Sequence, residues 1–246
     1  MLSNLLPQMS YSERLARAAA KRALLLKFLS SEGYTTVSIA ARVMSCGTSS
    51  AERTLARLVK DGSLKKESHL VHSRKTFIYG ITNQGLALAN EFENPVYFEL
   101  GRTNSSFIYH HLQTQHARLS AECAGWTDWK PGKILYNKGL GKIPDAIVKR
   151  PDQRLVAIEC ELNIKSQKRI GEVISSHLQS ITKGLWYEVH YLTSIQLKNA
   201  LKKAFERIET VLVNGDRLAL ENKHRERFLF FSFDQWPPEY EDENPT

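Results

Sequence analysis

The apolar positions of the chain change period along its length. From Ser12 to Leu29, Leu15, Ala18, Ala19, Leu25, Leu26 and Leu29 form an apolar set at helical spacing, which predicts a helix ended by Gly33. Thr36 is placed to cap a second helix, Val37 to Met44, and Ser45-Cys46-Gly47-Thr48 reads as a tight turn. Ser49 and Glu52 form the S-x-x-E pattern of a capping box opening a third helix, with Ala51, Leu55, Leu58 and Val59 as its buried stripe. Its opposite face presents Ser50, Arg53, Thr54 and Arg57, and Asp61-Gly62 stops it. Two strands follow, Leu64 to Val71 and Lys75 to Ile81, joined through His72-Ser73-Arg74. Thr82 then caps a helix from Asn83 to Glu91.

The second half alternates strands and helices. Asn94-Pro95 opens a linker over 94–105, and a helix from Phe107 to Ala124 follows. Gly132 to Leu140, Ala146 to Lys149 and the run beginning at Leu155 read as strands, the last two joined by a turn at Pro151-Asp152-Gln153-Arg154. Lys165 to Ile181 is a crossover helix and Tyr187 to Leu192 the next strand. Ser194 caps a long helix, Ile195 to Val213, and Arg227 to Phe233 is a final strand. The expected fold class is α+β: a mainly helical domain with a two-stranded hairpin over 10–93, then an α/β domain with a mixed sheet over 106–236. An acidic tail, 237–246, is expected to be disordered.

Composition narrows the function class. The chain has 246 residues, enough for two compact domains. No apolar run approaches the ~20 residues that span a bilayer, and Met1 to Leu6 is too short for a signal peptide. Cys46, Cys123 and Cys160 lack metal-ligand spacing and read as reduced core residues of a cytoplasmic protein. The net charge of +8 falls wholly within residues 1–90, and residues 91–246 are neutral. A basic third joined to a neutral remainder points to a nucleic-acid reader attached to something else. On that reading Ser50, Arg53, Thr54 and Arg57 face DNA, with Arg53 and Arg57 reaching guanine edges or phosphates, while Arg74 and Lys75 meet the backbone or minor groove.

Two acidic clusters carry the candidate chemistry. One is Ile143-Pro144-Asp145-Ala146, the other Ile158-Glu159-Cys160-Glu161-Leu162, followed by Lys165 and Lys168. Strand alternation puts Val156, Ile158, Cys160 and Leu162 on one face and Leu155, Ala157, Glu159 and Glu161 on the other. A hairpin centred near Asp152 or Gln153 brings Asp145 opposite the Glu159 to Glu161 region. Three converging carboxylates raise each other's pKa, and a divalent cation, Mg²⁺ or Mn²⁺, relieves the repulsion. Such an ion can activate water against a phosphodiester, with Lys165 steadying the transition state. The competing reading makes Glu159 and Glu161 an exposed strand end paired with Lys165 and Lys168. His110, His111 and His116 read as polar surface or packing, Glu122 as an accessory ligand, and Tyr136, Tyr187 and Tyr191 as packing aromatics, with a tyrosine nucleophile left open.

The pattern Asp145, Glu159-Cys160-Glu161 resembles the PD-(D/E)xK nuclease superfamily, with Glu161 at the usual lysine position. The segment TFIYGITNQGLALA resembles the last wing strand and following helix of a winged helix-turn-helix domain, whose helix after the turn enters the major groove. YHHLQTQHARL, IPDAIV and VAIECELNIKS, in that order behind a basic winged helix, are similar to the replication-relaxation family and most of all to the MOBC relaxases of mobilisable plasmids. The resemblance spans about residues 10 to 235. It implies a metal-dependent enzyme that nicks one strand at a plasmid transfer origin, with Asp145, Glu159 and Glu161 at the metal, Lys165 as the catalytic lysine, and an accessory mobilisation or coupling protein as a partner. His111 matches a histidine recurrent in that family. A restriction-type double-strand endonuclease and a non-catalytic plasmid replication or copy-control protein are the alternatives.

Overall fold

The computed structural model describes residues 9–71, 73–90, 96, 98, 105–135 and 142–239. The linker at 94–105 and the acidic tail fall largely outside them, as do His72 and Tyr136. The chain divides into two compact units, Met1–Ser105 and Ser106–Thr246, which together form a mixed α+β protein.

In the first unit, α1 (Tyr11–Glu32) leads to β1 (Tyr34–Thr35), α2 (Val37–Val43) and α3 (Thr48–Lys60). The hairpin β2 (Leu64–Val71) and β3 (Arg74–Ile81) and helix α4 (Asn83–Ala89) complete it. A reciprocal capping box between Ser10 and Glu13 starts α1, and Gly33, with φ +83°, ends it. Leu25, Leu26, Phe28 and Leu29 are buried, whereas Leu15, Ala18 and Ala19 are exposed. Only the second half of the expected apolar stripe is buried among the described residues.

The expected capping box at Ser49 and Glu52 does not form. The turn through Ser45, with φ +46°, starts α3 at Thr48, with Gly47 as N-cap. Gly47 O then accepts from the amides of Ser50 (3.0 Å) and Ala51 (3.1 Å). Ala51, Leu55 and Leu58 are buried and Val59 is half-buried. β1 adds antiparallel to β3, making a three-stranded sheet in the order β1-β3-β2 that the hairpin alone does not reveal. Thr82 caps α4 by accepting from Gly85 N (3.2 Å) and donates its hydroxyl proton to Gly62 O (2.7 Å), which ties the hairpin base to the end of α3.

The second unit begins with α5 (Ser105–Cys123), β4 (Thr127–Pro131) and α6 (Gly132–Leu135). Then come β5 (Ala146–Lys149), β6 (Leu155–Cys160), α7 (Gln167–Thr182), β7 (Glu188–Thr193) and α8 (Ile195–Glu206). The hairpin β8 (Thr210–Val213) and β9 (Asp216–Ala219), α9 (Asn222–Arg225) and β10 (Phe228–Ser232) close it. Five strands form a mixed sheet in the order β10-β7-β6-β5-β4, with β10, β7 and β6 parallel and β5 and β4 antiparallel. One face, carrying Ala157, Val189 and Tyr191, packs against Ile170, Val173, Ile174 and Leu178 of α7 and Leu201 and Phe205 of α8. The other, carrying Val156, Ile158, Cys160 and Leu192, packs against Ala117 and Ala121 of α5 and against Trp126, Trp129 and Trp236.

Two expected elements are displaced. The strand expected from Gly132 is instead β4, and Gly132–Leu135 is helical; a short apolar run such as Ile134-Leu135-Tyr136 has no period that separates the two states. The helix expected to reach Val213 stops at Glu206. Beyond it, Thr210–Val213 is a strand turned by Asn214 (φ +53°) and Gly215 (φ +95°), the two left-handed residues of a tight hairpin. The cysteines differ too: only Cys160 is buried, Cys46 is half-buried and Cys123 exposed, all as free thiols. No helix among the described residues is long and apolar enough to cross a membrane.

Candidate active site

The hairpin β5–β6 sets the geometry. Ala146 pairs with Ile158 and Lys149 with Leu155, so Asp145 lies opposite Glu159 one step beyond the ladder. Asp145 N donates to Ile158 O (3.0 Å), and Asp145 Oδ2 accepts from Cys160 N (2.7 Å). Gly132 fixes the approach from the other side: its amide donates to Asp145 O (2.7 Å), and a Cβ there would meet Pro144 O at 2.3 Å. The Pro-Asp segment is thus clamped between two backbones.

Glu159 and Glu161 are buried, with 3% and 7% exposure, so they are not the exposed strand end of the competing reading. Glu159 pairs with Lys142 and accepts from His177 Nε2 (3.0 Å). Burial alone would raise its pKa, but Lys142 and His177 outweigh burial and hold it at about 2. Burial pushes His177 below the ordinary histidine value. The imidazole is therefore neutral, with its proton on Nε2 facing the carboxylate, and Nδ1 is buried without a partner. Histidine on the apolar face of α7 is thus a brace for Glu159.

Glu161 behaves oppositely. Burial and the charges of Glu159 and Asp145 raise its pKa, although Lys165 pairs with it and opposes the rise. Its backbone continues the sheet: Glu161 N donates to Leu192 O (2.8 Å) and Thr193 Oγ1 donates to Glu161 O (2.6 Å). Lys165 keeps 40% of its side chain exposed.

Sequence reading missed three residues of the cluster. His110, on the first turns of α5, directs Nε2 at Asp145 Oδ2 (3.1 Å) and Cys160 O (2.9 Å). Burial lowers its pKa, but Asp145, Cys160 O and Glu161 overcome that and raise it. Lys142 and His177 are the others. His177 had a signal, since a polar ring at the spacing of Ile170, Val173 and Ile174 has to meet a buried partner. His110 and Lys142 had none, because contacts across 35 and 17 residues of sequence depend on how the helix and loop lie on the sheet. His111 is buried and bonds Gln115 Nε2 (2.9 Å), as packing predicts. Glu122 is not at the cluster: it pairs with Arg118 (2.7 Å) at the far end of α5, about 18 Å along the helix from His110.

The donor set comprises carboxylate oxygens, which suit a hard cation and not zinc. Among the described residues no group of three or more His, Cys, Asp or Glu side chains is arranged to hold a metal ion. Mg²⁺ needs none, since one or two carboxylates suffice and water and phosphate complete its shell. The raised pKa of Glu161, caused first by burial and then by the charges of Glu159 and Asp145, would be lowered by such an ion.

Tyr191, paired in register with Glu159, stacks among Phe205, Phe228 and Phe230. Burial holds its phenol well above the ordinary tyrosine value, so it is a poor nucleophile. Tyr187 lies at the opposite end of β7, between the guanidinium groups of Arg154 (4.5 Å) and Arg227 (4.0 Å). In the first unit, Arg53 and Arg57 are exposed on α3, and Ser50 and Thr54 are half-buried beside them. Thr54 Oγ1 donates to Ser50 O (3.0 Å). Arg74 and Lys75 are exposed at the start of β3. Compared with protein-family models and with curated proteins, the chain matches none.

Proposed function

We infer that the chain is a metal-dependent DNA nuclease carried by a separate DNA reader, and that it nicks one strand of plasmid DNA at a transfer origin. The observation that carries this reading is the convergence of Asp145, Glu159 and Glu161 at one end of the β5–β6 hairpin, where Glu159 is held ionised and Glu161 is shifted toward holding a proton. The order of elements in the first unit supports a winged helix-turn-helix, and the second unit supports a PD-(D/E)xK nuclease-like core. One-strand cleavage and the transfer origin come from the resemblance to the MOBC relaxases.

Asp145 and Glu161 would hold Mg²⁺ or Mn²⁺, which when bound polarises the scissile phosphate and makes water acidic. Glu159, ionised and braced by Lys142 and His177, keeps the site anionic. Glu161 would accept, through the oxygen not on the metal, the proton of the attacking water as the water oxygen bonds to phosphorus; the opposite P–O bond breaks and solvent water protonates the departing oxygen. Lys165, half in solvent, offsets charge on the phosphate oxygens. His110 holds Asp145 in line.

One observation favours a second reading, a non-catalytic DNA-binding protein on a retired nuclease core: each carboxylate already has a basic partner. Incubating the protein with Mg²⁺ and supercoiled plasmid carrying its own origin separates the readings. Open circles support nicking, linear product supports a restriction-type enzyme, and retained binding without cleavage supports the second reading.

A further inference from the structure

The geometry points to the outer face of the β2–β3 hairpin as a platform for an unpaired DNA base. Cross-strand register puts Lys66 opposite Tyr79, Ser68 opposite Phe77 and Leu70 opposite Lys75, all on one face. Near the tip that face is open: Phe77 is 44% and Leu70 67% exposed. An exposed phenyl ring on a sheet is a cost to folding that a hairpin near a basic helix has no structural need to carry.

The ring is flanked by cations, with Lys66 Nζ 4.2 Å and Lys75 Nζ 5.5 Å from its centroid. A flat aromatic surface between two ammonium groups matches one nucleotide of a single strand, the base on the ring and the phosphates on the lysines. A paired base offers no open face to such a ring. Lys66 sits over Phe77 on a flexible stem, and its surface cation–π contact is weaker than a base–aromatic stack, so a base displaces it outward to a phosphate. Charge complementarity selects nucleic acid over an acidic or apolar protein segment, because the hairpin adds Lys65 and Arg74 on its other face and has Glu67 as its one acid. The platform rests on the reading of the first unit as a DNA reader and adds the substrate form it takes: duplex with a locally opened strand.

The test uses the full chain with two probes, a short oligothymidylate and the origin duplex. Phe77→Leu keeps apolar bulk without a ring, and Phe77→Tyr keeps the ring. Phe77→Leu is expected to weaken oligothymidylate binding roughly tenfold, with duplex affinity unchanged and Phe77→Tyr close to the parent protein. Equal loss on both probes, or unchanged oligothymidylate affinity in Phe77→Leu, overturns the platform. If the parent protein binds oligothymidylate through Phe77 but ignores the duplex, the platform stands and the duplex-reader reading falls.

Discussion

Glu159 and Glu161 sit two residues apart, yet their environments push their pKa values in opposite directions. Glu159 has two basic partners inside the core and stays ionised down to about pH 2. Glu161 is buried, with one partly solvated lysine and two neighbouring carboxylates, so burial first and then their charges make its own charge a liability in the absence of a cation. Glu161→Gln is therefore expected to raise the melting temperature by about 2–4 °C, the effect of about 1 kcal/mol in a chain of this size, while removing cleavage. A lower melting temperature in thermal denaturation would show that the Lys165 pair outweighs the repulsion. The acid limb of stability follows from Glu159 and His177. Both bind protons more weakly folded than unfolded, so each contributes stability that is lost as pH falls: His177 below about 6.5, Glu159 from about 4.5 toward 2. His110 and Glu161, both raised, act in the opposite sense as pH rises. Urea midpoints measured against pH should fall through the lower window in the parent protein and flatten there in Glu159→Gln. The carboxylates were readable from sequence because apolar strands exclude such groups. Their braces were not, because His110 and Lys142 reach the site through tertiary placement.

The β5–β6 hairpin is the element that assembles the site, and its register was legible in the chain. A centre at Asp152 follows from Pro151 to Arg154 as a turn, and a one-residue slip would have put Glu159 on the face occupied by Ile158. Gly132 holds that hairpin's entry without being an acid or a base. Gly132→Ala is expected to push Pro144 and Asp145 away and cut the cleavage rate at least tenfold, with duplex affinity unchanged. Normal cleavage in that variant would mean the clamp is dispensable. Elements failed to be read where two signals competed. Ile208 and Leu212 continued the helical spacing of α8, but Asn214-Gly215 demanded a hairpin and the β-branched residues before it followed. Along α1 the stripe itself was sound, and what sequence lacked was knowledge of where the neighbouring elements end.

At the scale of the whole chain, charge and chemistry are separated: the net +8 lies in residues 1–90 and the acidic cluster in 142–165. That division was the most legible feature, since it needs no structure. If Arg53 and Arg57 contact phosphate, Arg53→Ala and Arg57→Ala should each weaken duplex binding and lower the slope of log affinity against log salt by about one. Unchanged affinity in both would remove α3 as the reader. The central claim is that the acidic cluster cuts DNA, and Asp145→Asn tests it most directly. Asparagine Oδ1 still accepts from Cys160 N and still meets His110, so the fold is kept and only the charge is lost. With supercoiled origin plasmid and Mg²⁺ at matched DNA occupancy, the account predicts open circles from the parent protein and none from Asp145→Asn. Equal nicking by both proteins would contradict it.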